Sequence, residues 1–253
     1  ESILGEWIRS RGCRGDVVVQ SKVSQAPTRT HALESLERSL NRLGLDSLDV
    51  YLLHSYGEYT QLEEFAGAMS EAQRSGCIHA YGCSNFSLAQ MQLLVACCER
   101  HDFTLPGAIE PIYNLVHRED ERDLFPFCIG HEIGITTYSP LGAGFLTGKY
   151  TRDAAADPAG SRFAVKPGHR RIYCTEHGFE VLDKLQAVAA SSCVEMWRLA
   201  LGWTLASADI TSVLVGATRI EHVRNALDVL EHPISAELVS ALSATKERRH
   251  AVE

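Results

Sequence analysis

The sequence has no apolar run long enough to cross a bilayer as a helix, which excludes an integral helical membrane protein. It has no excess of positive charge: 24 Lys and Arg stand against 32 Asp and Glu, a formal net charge of −8. That balance argues against nucleic acid or an anionic membrane as the main partner. None of the eight cysteines forms a CxxC pair, and no Cys/His cluster has zinc-ligand spacing. A disulfide framework and a metal site are therefore not expected. Reduced, buried thiols in a cytoplasmic protein are the expected reading, with Cys83, Cys128 and Cys193 in apolar or small-residue surroundings. There is no GxGxxG fingerprint, no low-complexity tract and no strong linker. No signal-peptide pattern opens the chain, but neither does a Met, so the start is expected to be missing.

What is present is an ordinary core-forming composition. The 253 residues are 45% apolar and 22% charged, enough for one large α/β barrel or two modest domains. Strand-like and helix-like segments alternate almost to the end. Short apolar runs at 16–22, 48–54, 78–83, 107–110, 133–138 and 211–215 read as strands. Helices are expected at 3–11, 29–43, 61–75, 87–100, 119–131, 176–190, 195–206, 219–231 and 235–248. Leu33, Leu36, Leu40 and Leu43 set the stripe of the second, and Gly44 suits its C-cap. Ser87 or Asn85 can cap the fourth. Residues 141–174 carry Gly, Ala, Asp, Pro and Arg without a period and read as a long functional loop.

Repeated βα units with apolar strands imply a parallel sheet covered by helices. The expectation is an α/β fold, a (β/α)8 TIM barrel missing two strands, in one domain over residues 1–253. Lys22 and His54 each end one of the first two strands. If those strands are parallel neighbours, both polar heads emerge at one carboxyl-terminal rim. Charge placed there is costly unless it serves a site. Singly, Lys22 reads as a snorkelling strand-end lysine and His54 as a satisfied core histidine; together they favour function.

The ordered motifs resemble the aldo-keto reductase family over almost the whole chain. Glu1-Ser-Ile-Leu-Gly5 looks like the family's Ser-Glu-x-x-Leu-Gly helix, and Ser21-Lys22 is similar to its strand-ending Thr-Lys. Leu48-Asp-Val-Tyr-Leu-Leu-His54 resembles the strand bearing the catalytic histidine, and Tyr81-Gly-Cys-Ser-Asn-Phe86 looks like Gly-x-Ser-Asn-Phe. Tyr138-Ser-Pro-Leu-Gly142, Leu146-Thr-Gly-Lys-Tyr150 and Val215-Gly-Ala-Thr-Arg219 are similar to the family's phosphate-side segments.

The resemblance implies an NADP(H)-dependent oxidoreductase that reduces aldehydes or ketones to alcohols, or runs the reverse, by hydride transfer. Lys22 and His54 would be catalytic. Cofactor contacts would come from Ser84, Asn85 and Glu110 at the nicotinamide carboxamide, with Tyr138 stacking on the ring. Ser139, Leu141, Gly142, Lys149, Arg162, Gly216, Thr218 and Arg219 would meet the phosphates, and His222 and Asn225 would lie near the adenine. The family's catalytic Asp and Tyr fall before Glu1, as do its first two strands. Either the chain belongs to an enzyme roughly 50 residues longer, a total that fits a barrel, or it is a shortened relative; the first is favoured. Glu110 stands where the family has Gln, His222 replaces Gln or Arg, and Asn225-Ala226 replaces Glu-Asn. Arg219 or Arg224 can still meet a 2′-phosphate, so NADP is expected and NAD stays open. The alternatives are a non-catalytic, cofactor-binding regulatory relative like potassium-channel β-subunits, and a barrel binding no nucleotide. A small-molecule carbonyl or alcohol is the expected partner, and an unpaired sheet edge would favour a homo-oligomer.

Overall fold

A computed structural model describes residues 1–26, 28–153, 155 and 157–244. The strands are β1 (Gln20–Val23), β2 (Leu48–Leu53), β3 (Ile78–Ser84), β4 (Ala108–Glu110), β5 (Gly134–Tyr138) and β6 (Ser212–Leu214). They form one sheet in the order β1-β2-β3-β4-β5-β6, with parallel pairing along β1 to β5. Sequential strands that are spatial neighbours, joined through helices, make this an α/β fold consistent with a (β/α)8 barrel lacking two strands. The chain divides into two compact units, Glu1–Pro111 with Arg122–Thr136, and Ile112–Glu121 with Thr137–Glu253.

In the first unit, helices α1 (Ser2–Arg11), α2 (Arg29–Leu43), α3 (Leu62–Arg74) and α4 (Leu88–His101) alternate with β1 to β4, and α5 (Leu124–Gly130) precedes β5. The outward strand positions are fully buried: Tyr51 and Leu53 on β2, Tyr81 and Cys83 on β3 and Ile109 on β4 all have 0% exposure. Phe65 of α3 packs edge-on against Tyr81, with ring centroids 5.8 Å apart. The helix ends follow capping rules. Gly44 closes α2 in the left-handed region at φ 64°. Ser87 takes the N-cap of α4 in a reciprocal capping box with Gln90, so Asn85 is not the cap.

Two elements differ from the sequence reading here. The strand expected at 16–22 begins only at Gln20, because Arg14–Asp16 is a 3₁₀ turn and the Val19 N–H donates to the Asp49 carboxylate at 2.6 Å. That bond diverts only the Val19 N–H; the Val19 carbonyl still accepts from the Asp49 and Val50 N–H groups. The helix expected at 119–131 splits into a 3₁₀ turn, Glu119–Glu121, and α5. Pro126 is the reason. Its ring would clash with the residue 122 carbonyl in a continuous helix, but it is tolerated in a first turn.

The second unit holds α6 (Arg162–Val165), α7 (Gly168–Tyr173), α8 (Glu176–Ser192), α9 (Met196–Leu205), α10 (Ile220–Glu231) and α11 (Ala236–Ser243). The described residues of the segment 141–174 hold regular elements that its composition does not suggest. They include a 3₁₀ turn at Gly142–Thr147 as well as α6 and α7. Tyr150 stacks on Phe163 at 3.8 Å between centroids, and Arg170 pairs with Asp157 at 2.6 Å while donating to the Thr151 and Arg152 carbonyls. Aromatic anchors at irregular spacing leave no period to read. Residues 245–248 of the expected last helix lie outside the described residues.

All eight cysteines are free. Only Cys83, Cys98 and Cys128 are buried; Cys193 is exposed at the C-cap of α8, where its φ is 55°.

Candidate active site

Lys22 and His54 occupy adjacent strand ends. β1 and β2 pair in parallel with Lys22 opposite Leu52, and the His54 N–H continues the ladder to the Val23 carbonyl at 2.8 Å. Both residues therefore stand at the carboxyl ends of neighbouring strands. The His54 ring is exposed and has no hydrogen-bond partner among the described residues, so it is not a satisfied core histidine. Lys22 does not snorkel either. Its ammonium forms an ion pair with Glu110 Oε1, and Glu110 is only 2% exposed.

Glu110 is a junction. Gln20 Nε2 donates to its other carboxylate oxygen. Its backbone carbonyl accepts from Ser84 Oγ at 2.9 Å and from the Asn85 N–H at 3.1 Å. Asn85 itself is left-handed at φ 58°, a conformation its short side chain tolerates. Its Nδ2 donates to the His54 carbonyl at 3.1 Å and to Ser84 Oγ at 3.0 Å. Five expected site residues, Lys22, His54, Ser84, Asn85 and Glu110, thus form one connected cluster at the ends of β1 to β4.

The other expected residues lie in the second unit, in two segments. Tyr138 ends β5, and its carbonyl accepts from the Tyr113 N–H at 3.3 Å. Beyond it the backbone is left-handed at Ser139 (φ 58°), Gly142 (φ 57°), Ala143 (φ 54°) and Gly144 (φ 91°). The Gly142, Gly144 and Leu146 N–H groups are used within the turn, the first donating to the Ser139 carbonyl and the last two to the Leu141 carbonyl. Gly142 is favoured there: besides its positive φ, a Cβ would stand 3.1 Å from the Tyr173 ring, a tight contact. Leu141 accepts at its carbonyl from the Gly144 N–H at 2.9 Å. Lys149 is exposed, with Nζ 5.3 Å from the Tyr150 ring centre, and a Cβ on Gly144 would lie 2.9 Å from that ammonium. A cation therefore flanks the turn. Arg162 is exposed at the start of α6.

The second segment leads into α10. Gly216, Thr218, Arg219 and His222 are exposed, and Asn225 is half-buried. Arg219 is the N-cap, without a side-chain cap bond, and the Thr218 N–H donates to His222 Nδ1 at 3.3 Å. Helix α9 packs against both the 142–147 turn and α10.

Two contributors escaped sequence reading. Gln20 is an ordinary polar residue on a short strand and gave no signal. Asn114, 0% exposed, donates from Nδ2 to the Ser139 carbonyl at 2.9 Å and accepts at Oδ1 from the Val116 and His117 N–H groups. An amide inside the apolar run Ile112-Tyr113-Asn114-Leu115-Val116 was the available clue.

Comparison with known proteins decides the family. The Aldo/keto reductase family model matches residues 1–247. The chain belongs to the aldo/keto reductase family. Among its relatives is a probable voltage-gated potassium channel subunit beta of Arabidopsis thaliana, 31% identical over 98% of this chain and 80% of that protein. An L-glyceraldehyde 3-phosphate reductase of Escherichia coli O157:H7 is 33% identical over 81% of this chain and 60% of its own length. An NADH-specific methylglyoxal reductase of Escherichia coli K12 is 31% identical over 85% of the chain and 65% of its own length. Aldo/keto reductase relatives of this chain thus carry both reductase and channel-subunit names. No helix among the described residues is long and apolar enough to cross a membrane.

Proposed function

We propose that this chain carries out the reductase chemistry of its family, with NADP(H) as the dinucleotide and an aldehyde or ketone as substrate. The observation that carries the reading is the cluster of Lys22, His54, Ser84, Asn85 and Glu110 at the carboxyl ends of four successive strands. When bound, the dinucleotide supplies a hydride to the carbonyl carbon. The carbonyl oxygen then gathers negative charge and takes a proton. His54 donates a hydrogen bond to that oxygen from its exposed ring, and the Lys22 ammonium adds positive charge beside it. Ser84 and Asn85, locked to each other, orient the carboxamide. In the second unit, the left-handed turn after β5 with Lys149, and the start of α10 with Arg219, are assigned to phosphates. No residue of this sequence matches the family's tyrosine proton donor, so the proton would come from solvent water. We place the protein in the cytoplasm, acting on a small molecule.

The test is NADPH and NADH consumption, followed by absorbance, with methylglyoxal and glyceraldehyde 3-phosphate. Turnover that falls at least 100-fold in Lys22→Met supports the reading. Fluorescence-detected NADPH binding without turnover favours the second reading, a cofactor-binding regulatory subunit. The plant relative, matched over 98% of this chain, supports that alternative. Absence of both binding and turnover sinks both readings.

A further inference from the structure

We propose that Glu110 is the counter-ion that holds the Lys22 ammonium in place at the strand ends, a positioning residue rather than a contact for the cofactor. The inference rests on the reading of Lys22 given under Proposed function. Three observations carry it. First, both carboxylate oxygens are engaged, Oε1 by Lys22 and Oε2 by Gln20, and the group is 2% exposed. Two donors that converge on one buried group are matched by a carboxylate, which accepts at both oxygens. An amide offers one acceptor and one N–H₂, so it would keep Lys22 only by a neutral hydrogen bond, and Gln20 only if that amide turned over.

Second, the strand register gives the lysine its path. Lys22, Leu52, Gly82 and Ala108 align across β1 to β4 and share a face of the sheet. Glu110 stands two positions beyond Ala108 on that same face, so the ammonium and the carboxylate project to one side of the sheet and meet there. Third, Glu110 is itself fixed. Its backbone carbonyl is held by Ser84 and by the Asn85 N–H, so the carboxylate, the carboxamide-side pair and the ammonium share one frame. With both oxygens committed within the protein, Glu110 has a role the sequence did not suggest.

The test is Glu110→Gln in the intact chain, read by amine acylation. The substitution is isosteric, and rotation of the Gln20 amide lets its oxygen accept from the new N–H₂, so the variant is expected to fold. Acetic anhydride labelling with peptide mass spectrometry compares Lys22 with the exposed Lys149 and Lys166 as internal references. An ammonium engaged by a buried carboxylate acylates slowly. Lys22 labelling is expected to rise at least five-fold in Glu110→Gln, with the references unchanged, and to be intermediate in Glu110→Asp. In turnover assays kcat should fall with KM for NADPH nearly constant, and Glu110→Asp should restore part of it. Unchanged Lys22 labelling in both variants overturns the proposal, as does a loss confined to KM for NADPH. Raised labelling in a chain whose parent form shows no turnover keeps the ion-pair role and removes the reductase reading instead. Should Glu110→Gln fail to fold, Glu110→Asp alone decides the matter by the same labelling.

Discussion

The side chain of Asn85 donates to the backbone carbonyl of His54 at 3.1 Å, from a residue that is itself left-handed at φ 58°. The end of β3 is thereby tied to the end of β2, and the height of the imidazole depends on a neighbour 31 residues away in sequence. Asn85→Ala loses that bond and the one to Ser84, and places a Cβ-bearing residue without a polar tip in the left-handed region. It should cost about 2 kcal/mol. Asn85→Gly loses the same bonds but keeps the backbone unstrained, and should cost about 1 kcal/mol. Urea unfolding of the two variants measures the gap. Equal losses would show that backbone conformation contributes nothing here.

The Lys22 and Glu110 pair makes a double-mutant prediction. Lys22→Met leaves the Glu110 carboxylate buried beside an apolar chain. The expected loss is about 2–3 kcal/mol, less than for a fully buried pair because the Lys22 side chain keeps 25% exposure. Adding Glu110→Gln removes the stranded charge, so the double variant should recover to within about 1 kcal/mol of the parent. Urea melts at neutral pH of the parent, both single variants and the double variant close the cycle. Additive losses would mean that the two side chains do not depend on each other.

The local order of this fold is legible because its signals are local. Apolar runs bounded by Gly or polar residues located all six strands, and the Leu33 to Leu43 stripe with Gly44 fixed α2 to the residue. Lys22 and His54 could be set on one rim from strand direction alone. What failed was also physical. The apolar pattern over 119–131 runs through Pro126, which is tolerated in the first turn of α5 but not in the middle of one continuous helix. The start of β1 depends on Asp49, thirty residues later, taking the Val19 N–H. The carboxylate that meets Lys22 lies three strands away, and no period within a strand reports on such a partner. Sequence resemblance put Lys22 and Glu110 in different roles, whereas the fold puts them in contact.

Gly82 gives a prediction about the sheet itself. An added Cβ there would overlap the Ala108 carbonyl oxygen, so β3 and β4 approach each other as only a glycine permits. Because the obstacle is backbone, no side-chain rotation relieves it. Gly82→Ala should cost about 3 kcal/mol or prevent folding, and in a folded variant Lys22 should become more reactive as β4 is displaced. Thermal unfolding with the same acylation readout checks both halves. A loss under about 0.5 kcal/mol would show that the two strands separate easily.

Asp120 makes stability depend on pH in the unusual direction. Burial, with Glu119 adding to it, pushes its carboxyl up to about 6, against 3.8 for the free group. The folded chain therefore holds this proton more tightly than the unfolded chain. Between about pH 4 and pH 6 the unfolded state releases it first, and stability falls as pH rises. Above pH 6 both states are ionised and the penalty is constant. Two pH units correspond to about 3 kcal/mol at most, and partial exposure of Asp120 reduces the expected effect to about 1–2 kcal/mol. Asp120→Asn has no charge to bury. It should be more stable than the parent by that amount at pH 7, and no more stable at pH 4, where the parent carboxyl is already neutral in the fold. Urea unfolding at the two pH values reads the difference directly. A variant that gains equally at both would place the effect in packing or hydrogen bonding, since charge burial acts only where the carboxyl is ionised.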